Sequence, residues 1–175
     1  VPAVRRLLIA PIIIAAALGL AACSSSSSST TPESANSAGA AATSQLPAVG
    51  NATDLKKEPT IGPGMPPPPT TLVTRDLVVG TGPAASASNT VVVQYVGADY
   101  ANGETFDASW QDNGPATFPL SEVVPGFAQG IVGMKVGGRR EIVIPPALGY
   151  GAAGKAPAVA GNETLVFVVD LLSVQ

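Results

Sequence analysis

Between Val123 and Gly151 the chain reads VVPGFAQGIVGMKVGGRREIVIPPALGYG, and no other stretch limits its fold so tightly. Pro125-Gly126 starts a short amphipathic segment in which Phe127, Ile131 and Met134 recur at helical spacing. The Gly137-Gly138 pair then forces a reversal. The β-branched run Ile142-Val143-Ile144 predicts a buried strand, and Pro145-Pro146 stops it before Tyr150. Helix, strand and aromatic-bearing loop therefore follow one another with almost no residues between them.

The rest of the second half of the chain is strand-like. Leu72 to Val79 predicts a strand ending in the turn Gly80-Thr81-Gly82-Pro83. Asn89 to Ala98 alternates, with Val91, Val93 and Tyr95 on one face and Val92, Gln94 and Val96 on the other. Asn102-Gly103 is a tight-turn signal, with Glu104 to Ser109 as the returning strand. Trp110 to Pro115 is a polar excursion, and Ala116 to Leu120 is again extended. A loop of small residues runs from Gly151 to Glu163, long enough inside a compact domain to be either functional or disordered. Thr164 to Val174 closes the chain with Leu165, Phe167, Val169 and Leu171 on one face and Asp170 on the other. The sum is an α+β domain, an antiparallel sheet of about five strands with one short helix.

Composition excludes several kinds of chemistry. There is no histidine, and the one cysteine, Cys23, lies outside the expected domain. Ser-His-Asp and Cys-His nucleophiles, His- or Cys-ligated metals and an intrachain disulfide are thereby removed, and neither a metal nor a cofactor is expected. From Leu72 onward five basic residues face nine acidic ones, so there is no basic stripe to track phosphates and no nucleic-acid partner is expected. Phosphate-cradling glycine motifs are absent as well.

The first part of the chain has a different texture. Arg5-Arg6 followed by the apolar run Leu7 to Ala22 predicts an export signal over residues 1–22. The run is short for a membrane span, which needs about 20 residues. The arginine pair serves equally as a charged n-region or as part of a twin-arginine signal, and the former is preferred. Leu20-Ala21-Ala22-Cys23 resembles the lipobox of bacterial lipoproteins, which implies lipidation of Cys23, a membrane anchor and a domain held on the extracytoplasmic side. Residues 23–71, rich in Ser, Ala, Thr and Pro, are expected to form a disordered tether, because few apolar side chains oppose the chain entropy. The folded domain proper is expected over residues 72–175.

Tyr95-Val96-Gly97, Gly103 to Ser109, Val123 to Phe127, Gly133 to Arg140, Ile144-Pro145-Pro146, Leu148 to Gly151 and Thr164 to Phe167, taken in order, resemble the FKBP-type peptidyl-prolyl cis/trans isomerases. The resemblance covers Leu72 to Val174. It implies a half-open antiparallel sheet wrapped around the short helix, with an apolar pocket between them that binds proline-containing polypeptides and, in the family, macrolides. A monomer is expected. Carried over position by position, Tyr95, Phe106 and Phe167 match aromatic walls, and Phe127 matches the floor. Val123 and Val124 match an apolar rim, Val124 offering its backbone N–H to a substrate carbonyl. Tyr150 matches the tyrosine whose hydroxyl bonds substrate backbone, Asp107 the acid at the pocket edge, and Val159 an apolar contact over the mouth.

Periodicity alone would make Phe106, Phe127 and Phe167 plain core, as it does Val93, Phe118, Ile142, Ile144 and Leu171. Asp107 fits two roles, a pocket acid or a structural partner that orients Tyr95. Some positions depart from the family pattern: Phe127 stands where many members have tryptophan, Ala116 replaces a wall aromatic, Lys155 stands where some have histidine, and Asp112 falls where an arginine often faces the edge acid. The expected activity is isomerisation of X-Pro bonds in exported proteins. The alternatives are a non-catalytic binding module or chaperone that uses the same pocket, and a purely structural lipoprotein.

Overall fold

The computed structural model describes residues 46–111 and 114–175. The expected export signal, Cys23 and Asp112 lie outside the described residues. Among the described residues there are eight strands: β1 (Val49–Gly50), β2 (Thr60–Ile61), β3 (Val73–Val78), β4 (Thr90–Asp99), β5 (Thr105–Ala108), β6 (Ala116–Pro119), β7 (Arg139–Ile144) and β8 (Leu165–Val174). The one α-helix among the described residues, α1, spans Pro125–Ile131. β1 and β2 form a small hairpin, and the remaining six strands form one antiparallel sheet in the order β3-β7-β8-β4-β5, with β6 also on β4. The sheet thus has six strands where about five were expected.

β4 organises this sheet. One of its edges pairs with β8 along nearly its whole length. The other is shared end to end: β6 pairs with Thr90–Val93, and β5 with Val96–Ala98. At the junction between these two partners the amide of Tyr95 would lose its ladder bond, and the Ser109 hydroxyl oxygen accepts it instead at 2.8 Å. Ser109 begins the short 3₁₀ turn Ser109–Gln111, which carries the chain from β5 toward β6.

The alternation expected of β4 and β8 is what builds the core. Val91, Val93 and Tyr95 join Ile142, Ile144, Leu165, Phe167, Val169 and Leu171 on the face covered by α1, all buried. The helix contributes Phe127 and Ile131, one turn apart, and ends at Ile131. Met134 is buried as expected but from the turn after the helix. A Pro at the first position fixes the helix start, and Gly126 and Gly130 let it lie directly on β7. A Cβ on Gly126 would stand 2.3 Å from Ile144 Cγ2, and one on Gly130 2.5 Å from Ile142 Cγ2. Arg140 ties the end of the helix to the sheet edge, donating to the Gly130 carbonyl at 2.8 Å while pairing with Asp76 at 2.6 Å.

The opposite face corrects one expectation. Residues 46–71 were expected within a disordered tether, yet they lie as a strap across the outer side of the sheet. Leu46 and Ile61 are buried there against Val96, Ala98, Tyr100, Val143, Val166 and Val168. Two cross-strand ion pairs on that face carry the attachment: Arg75 opposite Glu141, and Arg139 opposite Asp170. Arg139, fully buried, also donates to the carbonyls of Asn51 and Lys57, at 2.5 and 3.0 Å. Arg75 reaches Pro47 O at 3.1 Å, and the Tyr100 hydroxyl reaches Met65 O at 2.8 Å. The strap's own composition cannot order it. Its carbonyls are satisfied by arginines that the sheet supplies from far away in sequence, which a local reading of 46–71 does not register.

Candidate active site

All four phenylalanines of the chain meet at one end of the core, around Tyr95. Phe127, on α1 and fully buried, forms the base; its ring centroid lies 5.1 Å from Phe167, 6.1 Å from Phe118 and 6.3 Å from Tyr95. The first two contacts are edge-on, the arrangement aromatic quadrupoles favour. Phe167, from β8, passes the network outward to the half-buried Phe106 of β5 at 5.7 Å. These last two rings meet over Gly97, where a Cβ would sit 2.7 Å from Phe167 and 2.9 Å from Phe106. The Tyr-Val-Gly sequence on β4 is thus needed as much for the missing side chain as for the tyrosine.

Phe118 was expected to be plain core. It is half-buried and packs on both Tyr95, at 5.8 Å, and Phe127, closing the aromatic cluster on the β6 side. The signal was its register: Phe118 lies opposite Val91, and Ala116 opposite Val93, so both share the face that carries Tyr95. That pairing crosses an irregular excursion, and the sequence alone does not reveal its alignment.

Polar groups gather at the rim. The Tyr95 hydroxyl donates to Asp107 Oδ2 at 2.8 Å, so the acid orients the tyrosine, one of the two roles expected for it. Tyr150 is half-buried in a short segment between the 3₁₀ turns Pro146–Leu148 and Gly151–Ala153, where Pro145-Pro146 has ended β7. Burial, and after it the charge of Asp107, raise the Tyr150 hydroxyl above its ordinary pKa, which keeps it protonated and able to donate. The loop expected from Gly151 to Glu163 is folded back on itself. Lys155 and Val159 exchange backbone bonds of 2.8 and 3.0 Å, Val159 is buried in the core, and the Lys155 ammonium stands 5.5 Å from the Tyr150 ring centroid.

On the helix side, Val124 is the buried N-cap of α1, its carbonyl accepting from Phe127 and Ala128, and Val123 before it is half-buried against the core. Tyr95, Phe127, Phe167, Val124 and Val159 belong to the main hydrophobic core, and Phe106, Val123 and Tyr150 pack against it. A groove of about 410 Å³ continues from Phe106 along Pro157 and Ala158, bordered by Asp99, Glu104 and Glu163.

A sequence model of the FKBP-type peptidyl-prolyl cis-trans isomerases matches residues 82–172. The chain belongs to the FKBP-type isomerase family. Its sheet wrapped on the short helix α1 is the FKBP arrangement, and isomerisation of peptidyl-prolyl bonds is the family's activity. Among curated relatives, a protein described as a probable FK506-binding protein of Corynebacterium glutamicum is 46% identical over 107 residues, covering 61% of this chain and 90% of that one. An FK506-binding protein of Streptomyces anulatus is 48% identical over 110 residues, covering 61% and 89%. The crystal structure of FkpA from Escherichia coli is similar with a TM-score of 0.57 at 43% identity, covering 61% of this chain and 49% of that one. The strap over residues 46–71 precedes the segment that the FKBP family model spans.

Proposed function

We propose that this FKBP-type isomerase works from a lipid anchor at Cys23 on exported, proline-containing polypeptides, using the aromatic cluster as its binding pocket. The observation that carries the pocket assignment is the convergence of Tyr95, Phe106, Phe118, Phe127 and Phe167, with Asp107 and Tyr150 at its rim. The reaction breaks no σ bond. Its barrier, about 18–20 kcal/mol, is the loss of amide resonance when the C–N bond twists. A planar amide is strongly dipolar and well solvated, whereas the twisted form is less so. A pocket walled by phenylalanine removes water from the planar form and leaves the proline ring in apolar contact, so that the twisted amide is bound preferentially.

Phe127 and Phe167 give that pocket its base, and Phe106, Tyr95 and Phe118 its walls. Tyr150, protonated, donates to a substrate carbonyl; the Val124 amide supplies a second such bond in this reading, with Val123 and Val159 as apolar edges. Asp107 acts through Tyr95, whose hydroxyl it fixes. Each tenfold of acceleration needs only about 1.4 kcal/mol of preference for the twisted state, which apolar walls and one or two hydrogen bonds can supply. The same pocket would take a macrolide, and the domain would act as a monomer.

Support for the anchor comes from the sequence, in the Leu20-Ala21-Ala22-Cys23 run after an apolar segment. Cys23→Ala in cells should move the protein from the membrane to the soluble fraction; membrane association that persists unchanged would reject the anchor. For the pocket, Phe106→Ala and Tyr150→Phe should each slow isomerisation of a proline peptide while the far-ultraviolet circular dichroism stays native. Full activity in both would reject these roles.

A further inference from the structure

Four of the basic side chains among the described residues are paired with carboxylates away from the pocket: Lys57 with Asp54, Arg75 with Glu141, Arg139 with Asp170, and Arg140 with Asp76. Lys155 is placed differently. The backbone exchange between Lys155 and Val159 closes the loop tip, and burial of Val159 in the core pins that tip to the mouth. The Lys155 ammonium lies 5.5 Å from the centre of the Tyr150 ring. This is within the reach of cation–π attraction.

Among the groups that face it are Tyr150, on the turn after β7, and Asp107 of β5, whose Oδ2 in turn holds the Tyr95 hydroxyl of β4. Asp99, Glu104 and Glu163 border the neighbouring groove beside Phe106. Among the described residues named here, Asp99, Glu104, Asp107 and Glu163 are acidic and Lys155 brings a positive charge among them.

We infer that Lys155 is a positioning and specificity-determining residue for isomerisation: its ammonium, over the ring of Tyr150 and in the field of Asp107, holds the tyrosine at the mouth and offsets the acid there, so that substrates with an acidic residue beside proline are accepted. The inference rests on the rim roles given to Tyr150 and Asp107 above. Without the ammonium, the negative charge of Asp107 and of the groove carboxylates would bear more strongly on the substrate. An acidic side chain flanking proline would be repelled and a basic one attracted. Burial lowers the pKa of Lys155 against the opposing pull of Asp107, whereas Tyr150 is shifted upward and stays protonated. The charge preference of the enzyme therefore changes as Lys155 loses its proton, at a pH below the ordinary lysine value of 10.5.

The test uses the full chain and three peptides, Ala-Glu-Pro-Phe, Ala-Leu-Pro-Phe and Ala-Arg-Pro-Phe, with Lys155→Gln and Lys155→Arg. Activity of the unmodified protein on the leucine peptide checks the isomerase reading by itself. The ratio of kcat/KM for the glutamate peptide to that for the arginine peptide checks Lys155. Lys155→Gln should lower that ratio by about threefold to tenfold, the scale of one charge at partly solvated contact distance, and Lys155→Arg should hold it within about twofold. In the unmodified protein the ratio should fall as pH rises toward the ordinary lysine value of 10.5, and in Lys155→Arg it should stay level. A role confined to folding would shift the thermal midpoint without moving the ratio. The inference is overturned if Lys155→Gln leaves the ratio unchanged, or if Lys155→Arg loses it to the same extent.

Discussion

The Tyr95 hydroxyl donates to Asp107 Oδ2 at 2.8 Å across the point where β4 exchanges β6 for β5 as its edge partner. The sheet is least supported by backbone pairing there, and the two side chains, with Ser109 on the Tyr95 amide, bridge the gap. Tyr95→Phe and Asp107→Asn should each lower kcat/KM on a neutral proline peptide, and the double variant should lose less than the sum. A coupling of about 1 kcal/mol is expected for one partly buried hydrogen bond to a carboxylate. Strictly additive losses would separate Asp107 from Tyr95.

Gly97→Ala gives a sharper test of the aromatic geometry. The new methyl would meet Phe167 at 2.7 Å and Phe106 at 2.9 Å, so the two rings must part. Overpacking of this kind costs about 1–3 kcal/mol in stability. Isomerase activity per folded molecule should fall as well, measured under conditions where circular dichroism shows the variant native. By contrast, Gly126→Ala strikes Ile144 behind the helix and should cost stability more than activity.

The strap predicts a stability effect with no counterpart at the pocket. Asp170→Ala leaves the fully buried Arg139 without its carboxylate, and breaking such a pair costs about 3–5 kcal/mol. Urea unfolding should show that loss, while kcat/KM of the remaining folded protein stays near the unmodified value. A chain starting at Leu72, as the sequence suggested for the domain, should be destabilised too, because it lacks Leu46, Ile61 and the strap carbonyls that Arg75 and Arg139 bind.

Glu141 gives a pH dependence whose sign follows from its burial. Desolvation is the larger influence and raises its pKa above the ordinary 4.5; the Arg75 charge opposes it without reversing it. The folded chain therefore holds the proton more tightly than the unfolded one. The contribution to stability is complete below 4.5 and is lost as pH rises through the raised folded value. Glu141→Gln should flatten the stability curve over that window when urea midpoints are compared across pH. Parallel curves for the two proteins would show that Glu141 does not titrate differently on folding.

The core was legible because it obeys short periods. Val91-Val93-Tyr95 and Leu165-Phe167-Val169-Leu171 alternate without interruption, and Pro125, Gly137 and Pro145 mark ends that backbone geometry enforces. Phe106, Phe127 and Phe167 look like any other core residues by period; the resemblance, carried by motifs spread from Tyr95 to Phe167, singled them out. Phe118 escaped because its register depends on pairing across the 109–115 excursion. The strap escaped for a related reason: the groups that bind it, Arg75 and Arg139, belong to strands far along the chain, and their cost of burial is offset only once Glu141, Asp170 and the strap carbonyls surround them.

The claim on which the rest depends is that the aromatic cluster turns over X-Pro bonds. The most direct measurement follows cis-to-trans relaxation of an Ala-Leu-Pro-Phe peptide with the full chain and with Phe106→Ala, Tyr150→Phe and Gly97→Ala. Relaxation well above the uncatalysed rate, which takes tens to hundreds of seconds, with a fall in each folded variant, is the predicted result. Relaxation at the buffer rate with the unmodified chain, or equal acceleration by all three variants, would contradict it.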